Sequence, residues 1–120
     1  MTLVLKENYI AWDKDKNLYW IYKIDEENDF YPVKTVRILK WDEPVTDIHV
    51  YASYTYNRDG SYGIGEKGEY DLIDSVKLKR GDRFKLWDGT KYYEYLEIHD
   101  LKGVFEFIDK SGSERPDWLK

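Results

Sequence analysis

Gly63-Ile64-Gly65-Glu66-Lys67-Gly68 has the spacing of a phosphate-binding glycine loop. Such a loop works when a helix N-terminus follows and offers its free N–H groups to an anion. Here Glu69-Tyr70-Asp71-Leu72 follows, with two acids at strand-like spacing, so a surface loop is the better reading. Asp13, Asp15 and Asn17 have the spacing that opens a calcium loop. That loop needs Gly at its sixth position and a bidentate Glu at its twelfth. Leu18 and Ile24 stand there, and lysines separate the acids, which makes a hairpin loop the expectation. The two histidines, His49 and His99, neighbour Asp47 and Asp100. A His–carboxylate pair can act as a base or begin a metal site, but strand-edge or surface positions are the better reading of these residues. Ser53, Ser61, Ser75, Ser111 and Ser113 lack the strand–turn–helix context of a nucleophile. With no cysteine in the chain, thiolate chemistry and disulfides are excluded. No nucleophile–base or acid–base set emerges, so the expectation is a non-enzyme without cofactor or metal.

Binding chemistry has more to work with. Lys77, Lys79, Arg80, Arg83 and Lys85, interleaved with Phe84 and Trp87, form a basic aromatic run of the kind that holds single strands on an OB-type barrel. Asp82 and Asp88 interrupt it, and strand alternation would divide its charge between two faces. The net charge is −5, from 24 acids against 19 bases. A duplex-binding surface has the opposite balance, so direct nucleic-acid binding is not expected. The run reads better as a solvated face or as the contact for an acidic patch on a partner.

The elements that would position these groups are strands. Residues 48, 50, 52, 54 and 56 (Ile, Val, Ala, Tyr, Tyr) alternate with polar neighbours, and Leu18, Trp20, Tyr22 and Ile24 form a second such row. Asp13 to Asn17 reads as a hairpin loop, and Pro32 and Pro44 bracket a strand around Val33 to Trp41. Arg58-Asp59-Gly60-Ser61 with Gly63, Gly65 and Gly68 reads as a flexible tip. Asp88-Gly89 predicts a two-residue turn between Phe84–Trp87 and a long strand from Thr90 to Ile98, with Val104–Ile108 a further strand. Tyr70, Leu72, Val76 and Leu78 make a third row, interrupted by Asp74, and the same stretch, Asp71 to Lys79, is the main candidate for a short helix. The expected fold is all-β, a small antiparallel barrel or sandwich (SH3-like or OB-like) of about seven or eight short strands. Residues 1–110 form a single domain on this reading, and 111–120 a polar tail. No apolar run is long enough for a membrane helix, and the first residues meet charge too soon for a secretory signal. A cytoplasmic or virion location follows as an expectation.

The chain has twelve Tyr, five Trp and four Phe beside 26 Leu, Ile and Val. That is more apolar surface than one face of a small sheet absorbs. Tyr19 and Ile21 oppose Trp20 and Tyr22, so some strands are apolar on both sides. Tyrosines often pack the ring and leave the hydroxyl in water, yet surplus Tyr and Trp are also the residues of protein interfaces. Trp12, Tyr51, Trp87, Tyr93, Tyr95 and Trp118 are the candidate interface residues, and the expected partners are proteins, as a homo-oligomer or larger assembly.

The segment Gly81-Asp82-Arg83-Phe84, then Asp88-Gly89-Thr90-Lys91-Tyr92-Tyr93-Glu94-Tyr95-Leu96, is a glycine turn, a strand, a tight hairpin and an aromatic strand. It resembles the closing half of small phage head-closure and head–tail connector β-barrel proteins, over about residues 76–108. The resemblance implies a non-enzymatic virion neck component that binds copies of itself and its neighbours. Two alternatives stand beside it. One is a small inhibitor or immunity-type protein that covers a partner enzyme. The other is a carbohydrate-binding module, which would need two or three exposed coplanar rings.

Overall fold

Alternating β-branched and aromatic residues suit a pleated surface, and among the described residues seven strands form where they occur. The computed structural model describes residues 3–28, 30–40, 42, 53–62, 70–79, 84–87 and 92–93. The strands are β1 (Tyr9–Trp12), β2 (Leu18–Ile24), β3 (Val33–Lys40), β4 (Ser53–Tyr56), β5 (Asp74–Lys77), β6 (Phe84–Trp87) and β7 (Tyr92–Tyr93). All pair antiparallel in the order β5-β1-β2-β3-β6-β7, with β4 also on β3. The all-β class is therefore observed. Among the described residues the sheet stays open, because its end strands β5 and β7 do not pair with each other.

The longest strand among the described residues, β3, organises the rest. One edge of β3 carries β2; the other is shared, Val33–Val36 pairing with β4 and Ile38–Lys40 with β6. The β1–β2 hairpin closes as the sequence predicts. Lys16 N–H donates to Asp13 C=O at 3.0 Å, and Lys16 itself has φ of 63°. This is a three-residue loop of a type I turn followed by a left-handed residue.

The sheet buries apolar side chains on both faces. On one, Ala11, Tyr19, Ile21, Val33 and Tyr56 join Leu72, with Leu3, Leu5, Tyr9, Ile24, Tyr54 and Tyr62 around them. On the other, Ile10, Trp20, Val36 and Ile38 are buried. The opposition of Tyr19 and Ile21 to Trp20 is thus answered within the chain, and those rings are no surplus.

Several details differ from the sequence reading. The row Leu18, Trp20, Tyr22, Ile24 does not keep to one face. Ile21 pairs with Thr35 but Lys23 with Lys34, so Tyr22 is an extra residue in a β-bulge. A bulge switches the faces beyond it, which brings Ile24 onto the side of Ile21. Of the two readings of 71–79, the strand row is the one observed, as β5 (Asp74–Lys77), and the candidate helix is not. Ile73 N–H donates to Trp12 C=O and Leu78 N–H to Asn8 C=O, on either side of β5. The backbone groups a helix would use are taken by the outer edge of β1, and Ile73, Ser75 and Val76 resist helix weakly. No helix occurs among the described residues, and none there is long and apolar enough to cross a membrane.

The expected flexible tip begins as a fixed turn. Asn57 N–H donates to Ser61 C=O and Gly60 N–H to Asn57 C=O, both at 2.9 Å, and Gly60 is buried with φ of 87°. Gly63, Gly65 and Gly68 lie outside the described residues. The β6–β7 register also departs from a two-residue Asp88-Gly89 turn: Trp87 faces Tyr92, not Thr90.

Candidate interaction surface

The residues first considered for metal chemistry build the hairpin. Asp13 is fully buried, and its Oδ1 accepts from the backbone N–H groups of Asp15 and Asn17, each at 3.0 Å. Its Oδ2 accepts from Asn17 Nδ2 and the Tyr19 hydroxyl, also at 3.0 Å. Arg37 Nη2 donates to Asn17 Oδ1 at 2.8 Å, and the guanidinium lies 5.4 Å from the Tyr19 ring centroid. Burial first, then the Asp13 charge, pushes the Tyr19 phenol well above its ordinary value, against the opposing pull of Arg37. Every Asp13 oxygen is engaged by donors from the hairpin and its neighbour, which makes the carboxylate a structural cap. No cluster of three metal-ligating side chains occurs among the described residues. His49 and His99 lie outside them.

The basic run does not assemble into a stripe there either. Lys77 is on β5 and Lys85 on β6, and β1, β2 and β3 stand between those strands. Arg80 and Arg83 lie outside the described residues.

The feature with binding geometry is on the Trp20 face. Ile10, Trp12, Leu18, Val76 and Phe84 line an apolar groove of about 400 Å³, together with Lys16 and Lys40. The size is at the lower end of pockets that hold a small organic group or side chain. Strand pairing explains the assembly. Ile10 faces Val76 across β1–β5, Trp12 faces Leu18 across β1–β2, and Phe84 faces Lys40 across β6–β3. Trp12 is half-buried, and Val76 is 49% exposed. Asp74, opposite Trp12, accepts the N–H of Ser75 at 2.8 Å and does not line the groove.

Of the six candidate interface residues, Trp12 belongs to this groove. Trp87 and Tyr93 are placed by backbone only, on β6 and β7, while Tyr51, Tyr95 and Trp118 lie outside the described residues. The sequence reading missed Val76, Phe84, Lys16 and Lys40 as its companions. Alternation at Ile10 and Trp12 signalled a shared face, but β5 and β6 reach that face only through non-local pairing.

The tyrosines bear on the sugar-binding alternative. Tyr54, Tyr62 and Tyr70 gather with ring planes 38° to 68° apart. Tilted and edge-on rings stabilise one another, but they do not present the coplanar platform that a sugar stacks on. No family model, curated protein or solved structure matches the chain.

Proposed function

We propose that this chain is a non-enzymatic protein-interaction subunit that receives an apolar side chain of a partner in the Trp12 groove. The observation that carries the reading is the groove's composition: among the described residues its lining is five apolar residues, one of them Trp, flanked by two lysines and no acid. Interface hot spots have this form, an aromatic-lined recess rimmed by charge. The lysines favour a partner segment with carboxylates beside its apolar anchor.

The more specific reading is a neck-type connector subunit of a phage particle. It draws support from the resemblance over residues 76–108 and from the antiparallel pairing of β6 with β7 within that stretch. The test is calorimetric titration against itself and the products of the neighbouring genes, with wild type and Val76→Glu. The expected result is binding in the wild type that the variant loses at unchanged melting temperature. A chain that stays monomeric and binds none of these proteins overturns the reading.

A further inference from the structure

The loop between β2 and β3 is a braced projection. Asp25 N–H donates to Pro32 C=O at 2.8 Å, closing its base, and Asn28 N–H donates to Asp25 C=O at 3.1 Å. Arg58 holds it from the side, with Nη1 on Glu26 Oε2 at 3.0 Å and Nη2 on Glu26 C=O at 3.2 Å. Tyr31 takes φ of 50°, a left-handed conformation that is costly for a bulky side chain. Phe30 N–H donates to Asn28 Oδ1 at 2.9 Å, and the Phe30 ring is 77% exposed. A strained, hydrogen-bonded loop thus presents an unburied phenylalanine in the segment that carries Asp25, Glu26 and Glu27, where Asp25 accepts from the Glu27 N–H and Glu26 is bridged to Arg58.

This tip has the chemistry that the Trp12 groove lacks. One is an aromatic knob in an acidic segment whose exposed Glu27 lies three residues before it; the other is an apolar recess flanked by Lys16 and Lys40. They also stand at opposite ends of the β2–β3 pair. The groove is lined by Leu18, where β2 begins, and Lys40, where β3 ends. The tip follows Ile24 and precedes Val33, so the seven residues of β2 separate the two features by roughly 20 Å at strand rise. A copy cannot fill its own groove.

Resting on the interaction reading above, we infer that the Phe30 tip of one copy seats in the Lys16–Lys40 groove of the next. Two different surfaces then meet, so the contact is head-to-tail. Such a contact is not self-limiting at a dimer; it continues until a ring closes or an open chain grows.

Sedimentation velocity of the full chain over a concentration series, up to roughly millimolar, tests the inference. Wild type is expected to grow past dimer as concentration rises and to shrink with added salt. Phe30→Ala at the tip and Val76→Glu in the groove are each expected to weaken association about tenfold or more. Mixed, these two variants retain one intact tip and one intact groove between them, so they should form a 1:1 heterodimer that extends no further. As a check independent of apolar packing, Glu27→Lys and Lys40→Glu should each weaken association and together restore part of it. Two outcomes overturn self-docking: a mixture that does not associate, or Phe30→Ala with wild-type mass. A wild type that is monomeric throughout overturns it too. The interaction reading still stands if a neighbouring gene product then binds in a manner sensitive to Val76→Glu, and falls with it otherwise.

Discussion

Tyr19 and Tyr56 meet edge-on in the core, ring centroids 5.7 Å apart, yet their hydroxyls have different duties. Tyr19 donates to the buried Asp13 carboxylate. The Tyr56 hydroxyl is buried beside it and interacts with the Tyr19 oxygen, but makes no hydrogen bond of normal geometry among the described residues. Removing a donor from a buried carboxylate costs more than removing a hydroxyl held only by a long contact. Tyr19→Phe should therefore destabilise the chain by about 1–2 kcal/mol, and Tyr56→Phe should lie within about 0.5 kcal/mol of wild type. Urea midpoints of the two variants read this directly, and equal losses would refute the assignment. Lys16 allows a second test. It holds a left-handed φ where this loop type favours Gly. Lys16→Gly should raise stability by about 0.5–1 kcal/mol, strain relief outweighing the added freedom of the unfolded chain. It also deletes one groove lysine, so stability should rise while association weakens, a split that thermal melts and sedimentation resolve.

At the scale of elements, the Asn57–Ser61 turn shows how local chemistry and distant packing combine. Asp59 accepts from the N–H and hydroxyl of Ser61, which holds its carboxyl below the usual range. Leu72 N–H donates to Gly60 C=O at 2.9 Å, tying the turn to the approach of β5. A Cβ at Gly60 would come within 2.6 Å of Leu3 Cδ2 and 3.1 Å of Leu72 C=O. Leu3 can swing aside, but the carbonyl and the positive φ remain. Gly60→Ala should cost about 2–4 kcal/mol. Adding Leu3→Ala should recover only a minor part, measured as a double-mutant cycle in denaturant. Turn position was legible in Asp59-Gly60-Ser61, because those residue types set it locally. Its burial was not, since Leu3 and Leu72 are remote in sequence. The same limit explains β5: residues 71–79 look ambivalent alone, and only the open edge of β1 decides for strand. It explains Ile24 as well, since alternation cannot show that a bulge at Tyr22 exchanges the two faces.

For the molecule as a whole, the abundance of rings has two sources. Part of it fills a sheet buried on both sides, as Trp20 and Tyr19 show on successive residues of β2. Another part, Phe30 and the half-buried Trp12, stays open to contact. Trp12 was singled out in the sequence as a large ring, and the structure places it on the groove; Phe30 was not, because its exposure depends on a braced loop that composition does not reveal. The buried phenols give the fold an alkaline limit. Burial, foremost, raises Tyr56 above its ordinary value, with Tyr19 and Asp13 adding to the shift, and Tyr19 is raised likewise. Unfolded phenols ionise near pH 10, while these two keep their protons to higher pH in the native state. The native state then binds more protons than the unfolded one, so the stabilisation is complete below about pH 10 and declines as pH rises beyond it. Each phenol contributes a slope of up to about 1.4 kcal/mol per pH unit, and two contribute about twice that. Burial raises Tyr22 as well, so Tyr56→Phe should remove about a third of the decline above pH 10 while leaving neutral-pH stability near wild type. Urea midpoints at neutral pH and through the alkaline range decide the matter. An alkaline slope unchanged by Tyr56→Phe would mean that this buried hydroxyl does not set the limit.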